Sequence, residues 1–479
     1  MGQLPSSLQF GSSAQVPASG LPQPVLGRVA TTGIVPDAPC RGCSLHLAGV
    51  VTRGVGCGLA SDGSQRYRLP MSSSGRQAPA RRARAIAFYL PQFHPIPEND
   101  EWWGAGFTEW RNVRKARPLF EGHRQPRVPG ELGYYDLRDS GVRKAQADLA
   151  RAHGVEGFCY WHYWFAGRRL LERPFEAVLS SGEPDFPFCL AWANHSWTAA
   201  WVGRPFEMLQ EQTYPGREDY RRHFEAVLPA FRDPRYLRVD GKPLFILFRP
   251  HQIPRVSEFV AYWRTLAAEA GLGGLHLLGI TPPGLSAESM ALDGTIETGI
   301  GQLLSYQSEE LLRRQLWRSR ATKVLERPAL ASIHQLLAHL PPIRRPAPLA
   351  RAHDAVSREA MLPIRASYDE LTAGMAATGP LPEDRHPCVA PNWDNTPRMG
   401  RWGVVVEGSS PALYAKHLES ALERIADRPD ESRLVFLKSW NEWAEGNYLE
   451  PDVANGRAFL EATREVLVER VGANEAAAP

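Results

Sequence analysis

Glu442 and Glu445 stand three residues apart in Trp440-Asn441-Glu442-Trp443-Ala444-Glu445-Gly446, directly after the apolar run Leu434-Val435-Phe436-Leu437. Two carboxyl groups are what cleavage of a glycosidic bond requires: one handles the leaving oxygen, and the other assists attack at the anomeric carbon. Trp440 and Trp443 flank and separate them. An indole offers a flat apolar face to the C–H face of a sugar, and an N–H donor at its edge. A Glu-x-x-Glu pair alone is most often two solvated surface charges. This pair differs by its place at the end of a predicted strand and by the tryptophan density elsewhere.

Trp102, Trp103, Trp110, Trp161, Trp164, Trp192, Trp197 and Trp201 fall within one hundred residues. Trp102, Trp103, Trp164 and Trp197 lie in predicted loops and are candidate sugar platforms. Trp161 and Trp192 lie in strand interiors and suit barrel packing equally well. Glu109, in Gly106-Phe107-Thr108-Glu109-Trp110, can accept from sugar hydroxyls or pair with an arginine. His94, His162 and His195 stand at three predicted strand ends. A three-His set holds some catalytic zinc ions, but no His-Glu-x-x-His or closely spaced pair supports one. Hydrogen bonding or packing against Trp is expected instead, with no metal and no cofactor. The chain has no Gly-x-Gly-x-x-Gly at a strand-to-helix turn, no phosphate loop, no Asp-x-Asp and no Gly-x-Ser-x-Gly elbow. Dehydrogenase, NTPase and esterase readings lose their support.

The elements that must position these residues follow from the apolar pattern. Strands are predicted at 84–90, 155–161, 188–192, 244–248, 275–280, 294–298, 388–392 and 434–437. Helices are predicted at 139–153, 170–181, 217–231, 255–271, 411–426 and 455–471. In the first helix Val142, Ala145, Leu149 and Ala152 share a face. Continuous apolar strands alternating with helices indicate a parallel sheet buried on both faces. Eight of them indicate an α/β fold, the (β/α)₈ TIM barrel, whose active site lies at the C-terminal strand ends. The unusual residues gather at those ends: His94; His162, Tyr163 and Trp164; Asn194, His195 and Trp197; Asn392, Trp393 and Asp394; then Trp440, Asn441 and Glu442.

The 479 residues suffice for one large domain or two to three ordinary ones. A net charge of +3 indicates no nucleic-acid partner. No segment approaches the roughly 18–20 apolar residues that span a bilayer, and no secretory signal is visible. Residues 1–83 are rich in Gly, Ser, Pro, Ala and Arg and read as a low-complexity, disordered tail. There Cys40, Cys43 and Cys57 lack a fourth zinc ligand. Cys159, Cys189 and Cys388 read as reduced core residues. The catalytic domain is expected at 84–479, with a basic insertion at about 305–365. That insertion reads as a solvated helical segment, or as a surface for anionic headgroups or a lipid-linked glycan. A cytoplasmic location, with membrane contact through the insertion, is the expectation.

The stretch Phe88-Tyr89-Leu90-Pro91-Gln92-Phe93-His94-Pro95-Ile96-Pro97-Glu98-Asn99-Asp100, with Trp102-Trp103-Gly104 and 106–110, resembles the opening of the WbsX-like family. Segments 157–164, 192–197 and 440–452 resemble it too, and the resemblance covers about 84–465. The family is labelled as glycosyltransferases of polysaccharide biosynthesis and is related to glycoside hydrolase family 99, the endo-α-mannosidases. The resemblance implies a (β/α)₈ barrel. In the family 99 hydrolases, Trp-Asn-Glu-Trp-His-Glu-Gly carries both catalytic carboxylates. Carried over, Glu442 is the base that deprotonates the sugar 2-hydroxyl, giving a 1,2-anhydro sugar. Glu445 is the acid, then the base, at leaving group and acceptor. Glu445 is expected to have its pKa raised by burial beside Trp443 and by repulsion from Glu442. Ala444 replaces the hydrolase His, so the leaving-group pocket is expected to differ. Expected glycan contacts are Tyr89, His94, Trp102, Glu109, Trp110, His162, Tyr163, Trp164, Asn194, His195, Trp197, Asn392, Trp393, Asp394, Trp440, Asn441 and Trp443. A nucleotide-sugar-dependent glycosyltransferase, a non-catalytic glycan-binding barrel and a metal-dependent hydrolase are the competing readings.

Overall fold

The computed structural model describes residues 81–468 apart from 200–203, 283, 298–299, 301–361 and 377–378. The expected tail, with Cys40, Cys43 and Cys57, lies outside the described residues except for 81–83. Arg82 N donates to Leu467 O at 3.0 Å, and its guanidinium pairs with Glu419 at 2.7 Å. Packing therefore begins ahead of residue 84. The expected basic insertion also lies outside the described residues, except for 362–365. There, strand Ile364–Ser367 pairs in parallel with Val404–Glu407, so the insertion's expected last residues belong to a sheet.

Nine short parallel strands form a nearly closed barrel: β1 Arg84–Tyr89, β2 Gly157–Phe165, β3 Phe188–Trp192, β4 Lys242–Leu247, β5 His276–Ile280, β6 Gly294–Ile296, β7 Arg385–His386, β8 Cys388–Val389 and β9 Leu434–Leu437. Their neighbour order is β7-β6-β5-β4-β3-β2-β1-β9-β8. Only Pro387, which has no N–H to give a ladder, separates β7 from β8. One half pairs with β6 and the other with β9, so together they act as the seventh of eight staves. This strand was expected at 388–392. It starts earlier, and Ala390, Pro391 and Asn392 leave the sheet.

All nine residues of β2 are buried, as a strand covered on both faces requires. Expected to stop at Trp161, β2 carries His162, Tyr163 and Trp164 within the strand. Gly157 opens it because a Cβ there would meet Pro187 O at 2.6 Å. Inside, Phe88 stacks on Trp161 with centroids 4.8 Å apart.

The helices are α1 Pro97–Trp103, α2 Glu109–Lys115, α3 Ser140–Ala152, α4 Arg173–Ser181, α5 Arg217–Arg232, α6 Val256–Glu269, α7 Tyr368–Ala376, α8 Thr396–Met399, α9 Pro411–Glu423 and α10 Ala458–Leu467. Asp139 caps α3 by accepting from Gly141 N at 2.7 Å. The buried face of α3 is Arg143, Gln146, Ala147 and Ala150, whereas Val142 and Leu149 are half-buried and Ala152 is exposed. The expected face was turned because Arg143 and Gln146 find polar partners inside: Leu137 O at 2.6 Å, and Tyr89 and Glu450. Among the described residues, no helix is long and apolar enough to cross a membrane.

Candidate active site

Beyond β9 the chain leaves the ladder, and Asn441 replaces it. Its Oδ1 accepts from Leu90 N at 2.7 Å, and its Nδ2 donates to Leu90 O at 3.0 Å. Asn441–Glu442 then pairs antiparallel with Asn447–Tyr448 around the tight turn Trp443–Glu445. Gly446 closes that turn at φ +65°, with Asp394 N 2.8 Å from where a Cβ would sit. A left-handed backbone in so tight a place calls for glycine. Both glutamates thereby line one cavity of about 470 Å³ at the C-terminal strand ends.

Arg398, on the short helix α8, joins three carboxylates. Its Nε and Nη2 donate to Glu109 Oε2 at 3.0 and 2.5 Å, Nη2 reaches Glu442 Oε2 at 3.3 Å, and Nη1 bonds Glu445 Oε1. Burial opposes its charge, but Glu109, Glu445 and Glu442 together push its pKa up. Burial, then repulsion from Glu445, pushes Glu442 up to about 7, against the pull of Arg398 and Lys438. The side chain of Glu442 is 6 % exposed against 21 % for Glu445. Trp443 does not shield Glu445: its ring stacks on Tyr448 at 3.7 Å and its indole donates to Glu450 at 2.6 Å. Glu445 Oε2 accepts from Asn447 Nδ2 at 3.2 Å.

Of the expected contacts, Tyr163, His195 and Trp197 line this cavity, together with Trp103 and Trp161. Trp102 meets Trp197 edge-on from behind. Glu109 is fully buried and is held by Arg398 and by Asn112 at 2.7 Å. Trp110 donates to Tyr135 O at 2.7 Å, and Trp164 to Asp219 at 3.2 Å. Both are core residues, as are Trp440, Trp443 and Trp393. Tyr89 donates to Gln146 Oε1 at 2.7 Å. Asn194 clamps the backbone of Arg249, accepting from its N at 2.8 Å and donating to its O at 2.9 Å. His94 rests on Pro91 O at 2.9 Å, and His162 on His223 at 2.9 Å. Burial lowers His94 to about 4 and His162 to about 3. The three strand-end histidines do not converge. Among the described residues, no three His, Cys, Asp or Glu side chains gather as ligands of one metal.

Asn392 and Asp394 line a second cavity of about 540 Å³. Asp394 accepts from Gln125 at 2.7 Å and lies 2.9 Å from His123 Nε2. Burial opposes its charge, yet His123, Arg127 and Thr396 hold it below the usual carboxylate range. Its backbone N donates to Glu445 O at 2.7 Å, which ties this loop to the glutamate turn.

Arg398, Lys438, Glu450 and Gln146 escaped the sequence reading. Pro397 after Thr396 was the available signal for α8, since proline favours the first helical turn; that places Arg398 on a helix just past the seventh strand. Glu450 accepts from Trp443, from Tyr135 at 2.8 Å and from Gln146 at 2.6 Å. Burial lifts it to about 7 against those bonds.

A profile of the family described as Glycosyltransferase WbsX matches residues 85–463. Proteins named WxcX from two strains of Xanthomonas campestris pv. campestris are 36% identical over 389 residues, covering 80% of this chain and 50% of theirs. The chain thus spans about half the length of the curated relatives it matches. Among solved structures, a glycoside hydrolase-like protein is 13% identical, with TM-score 0.46, covering 82% of this chain and 95% of its own. A glycoside hydrolase family 99 endo-α-mannosidase from Bacteroides thetaiotaomicron, in complex with bis-tris-propane, is 15% identical, with TM-score 0.44, covering 80% and 95%.

Proposed function

The chain belongs to the WbsX glycosyltransferase family, and from that premise we propose that it is a carbohydrate-active enzyme that cleaves or transfers α-linked glycans with retention through Glu442 and Glu445. The observation that carries this reading is the pairing of those two carboxylates on Arg398 in one cavity walled by Trp103, Trp161 and Trp197. Glu442, near 7, is poised to act as a base close to neutral pH. It takes the proton of the sugar 2-hydroxyl as that oxygen attacks the anomeric carbon. Glu445, on the more open side, gives a proton to the departing oxygen. In the second step Glu445 takes the proton of the incoming hydroxyl, that oxygen opens the 1,2-anhydro ring, and Glu442 returns its proton to O2. Two inversions give retention. Retention more commonly uses an enzyme nucleophile.

The glycan is α-linked, with mannosyl units among the candidates, and the setting is surface polysaccharide metabolism, with a lipid-linked substrate, in the cytoplasm or at a membrane face. Product analysis by mass spectrometry and NMR tests this. The protein and Glu442→Gln are offered α-mannan oligosaccharides and nucleotide-sugar donors in parallel. Retained-configuration cleavage or transfer that is lost in the variant supports the reading. Transfer from a nucleotide sugar alone makes it a nucleotide-sugar-dependent enzyme. Glycan binding without turnover makes it a binding barrel.

A further inference from the structure

Asn447 stands beside both cavity glutamates. It is the cross-strand partner of Glu442 in the hairpin that carries the Trp443–Glu445 turn, and residues directly opposite in an antiparallel pair project side by side. Its Nδ2 donates to Glu445 Oε2 at 3.2 Å. The residue is fully buried, and its Oδ1 has no hydrogen-bond partner among the described residues. An unpaired buried amide oxygen is costly, so a residue that served the hairpin alone would not carry one.

Glu445 has a task that its other partner cannot serve. As the acid it carries a proton, and as the base it is a carboxylate. Arg398 bonds its Oε1. A guanidinium has donors only, so it favours the carboxylate and opposes the proton. Glu442 and Glu445 repel each other, and the phenol of buried Tyr163 feels both carboxylates. Among the described residues, Arg398 and Asn447 are the groups bonded to the Glu445 carboxyl. An amide has a donor end and an acceptor end, and the terminal torsion of asparagine is soft. Because the far end of Asn447 holds no partner among the described residues, half a turn of the amide costs no other hydrogen bond there. It remakes the bond to Glu445 in the opposite sense.

We propose that Asn447 is the positioning residue of Glu445 and that its amide turns with the proton: Nδ2 donates to the carboxylate, and Oδ1 accepts from the carboxylic acid. The acid and base roles of Glu445 rest on the catalytic reading above; the two-way amide does not. In the first step the Glu445 O–H bond breaks and its proton passes to the departing oxygen. The bond from that oxygen to the anomeric carbon breaks, its electron pair stays on the oxygen, and Nδ2 takes up the carboxylate left behind. In the second step the incoming hydroxyl gives its proton to Glu445, and Oδ1 accepts from the new O–H.

Neutron diffraction tells the two ends of an amide apart, because the deuterons on nitrogen are seen directly. Crystals of the full chain at about pH 8 should show Nδ2 toward Glu445. In Glu445→Gln the substituted amide gives its oxygen to the donors of Arg398, which leaves its NH2 toward Asn447 in place of the acid O–H. There Asn447 should present Oδ1. The same end facing position 445 in both crystals overturns the proposal. Kinetics test what the turning does. The parent and Asn447→Leu are offered methyl and dinitrophenyl α-mannosides; the methyl glycoside departs only with a proton, and dinitrophenolate departs without one. General acid catalysis is worth about 10²–10⁴-fold, so the variant should lose at least ~10-fold more kcat/KM on the methyl glycoside than on the dinitrophenyl one. A merely structural role slows both alike, and that equal loss overturns the positioning role. The crystal comparison keeps Asn447 in place, so it decides the matter even where Asn447→Leu melts early. The two readings fail separately. An amide that turns in a parent without turnover of either glycoside sinks the catalytic reading alone. Glu442-dependent turnover with an amide that never turns sinks this one alone.

Discussion

Trp443 donates its indole N–H to Glu450 at 2.6 Å, and this bond aims the residue between the two cavity glutamates into the core. Tyr135 and Gln146 complete the cradle of Glu450, and Gln146 links it to Tyr89 on β1. Glu450→Ala leaves buried donors unpaired, each costing about 1–3 kcal/mol. We expect a loss of about 3 kcal/mol or more in urea unfolding, and kcat reduced at least ~10-fold with little change in KM. Glu450→Gln can rotate to keep most of these bonds and should retain most of the stability. Wild-type stability and turnover in the alanine variant would remove Glu450 from any supporting role.

Glu450 also makes stability depend on pH. Its folded pKa is about 7 against an ordinary 4.5, so the folded protein binds the extra proton between those values. Its contribution falls as pH rises through that window and then levels, by up to about 3 kcal/mol at about 1.4 kcal/mol per unit. Glu442 acts in the same sense. Buried histidines act in the opposite sense. His94 and His417 lie near 4, and His162, His195 and His386 near 3. The unfolded chain takes up their protons first, so stability drops as pH falls below about 6.5. Five such groups outweigh two glutamates, so Tm should fall from pH 6.5 to pH 5. The Tm difference between Glu450→Gln and the parent isolates the carboxylate, and it should grow in the variant's favour from pH 5 to pH 8. A difference independent of pH would contradict a proton on Glu450.

The barrel was legible because a parallel strand buried on both faces must be an unbroken apolar run. Phe188–Trp192 and Leu434–Leu437 match their predicted bounds to the residue. The end of β2 was misplaced because Tyr163 and Trp164 carry polar edges that suit a loop as well as a strand. The face of α3 was misplaced because apolar periodicity cannot see that Arg143 and Gln146 have partners inside. In the site, local signals singled out Glu442, Glu445, Trp103 and Trp197, which line one cavity, whereas Trp161 suited strand packing equally well. Arg398 gave none of comparable strength, since its role comes from meeting Glu109, 289 residues earlier in the chain. Lys438 gave no local signal, since what marks it out is the approach of the Trp161 and Trp393 rings to its ammonium.

Arg398 can be tested directly. Arg398→Met strands Glu109, which is fully buried, beside two further carboxylates. Removing one partner of a buried ion pair costs about 3–5 kcal/mol. Urea unfolding should show that loss, and turnover should fall by ~10²-fold or more as both cavity carboxylates lose their positioning charge. Arg398→Lys should not rescue activity, because an ammonium cannot fork to three partners in one plane. Adding Glu109→Gln to Arg398→Met should recover part of the stability and none of the turnover. Full activity in the lysine variant would mean that charge alone, without the fork, organises the site.

The pH–rate profile assigns the base. With Glu442 near 7, kcat/KM should climb through about pH 7 as the carboxyl loses its proton. Repulsion from Glu445 is the second cause of that high value, after burial. Glu445→Gln removes the repulsion, and Arg398 and Lys438 then pull Glu442 down against burial and Glu109 alone. An aryl glycoside whose phenolate leaves without protonation keeps the first step measurable in this variant. Its ascending limb should therefore shift to lower pH than in the parent, while Glu442→Gln should lose the limb together with the activity. A limb that stays near pH 7 in Glu445→Gln would show that the titrating group is not coupled to Glu445, and the base would have to be sought elsewhere in the cavity.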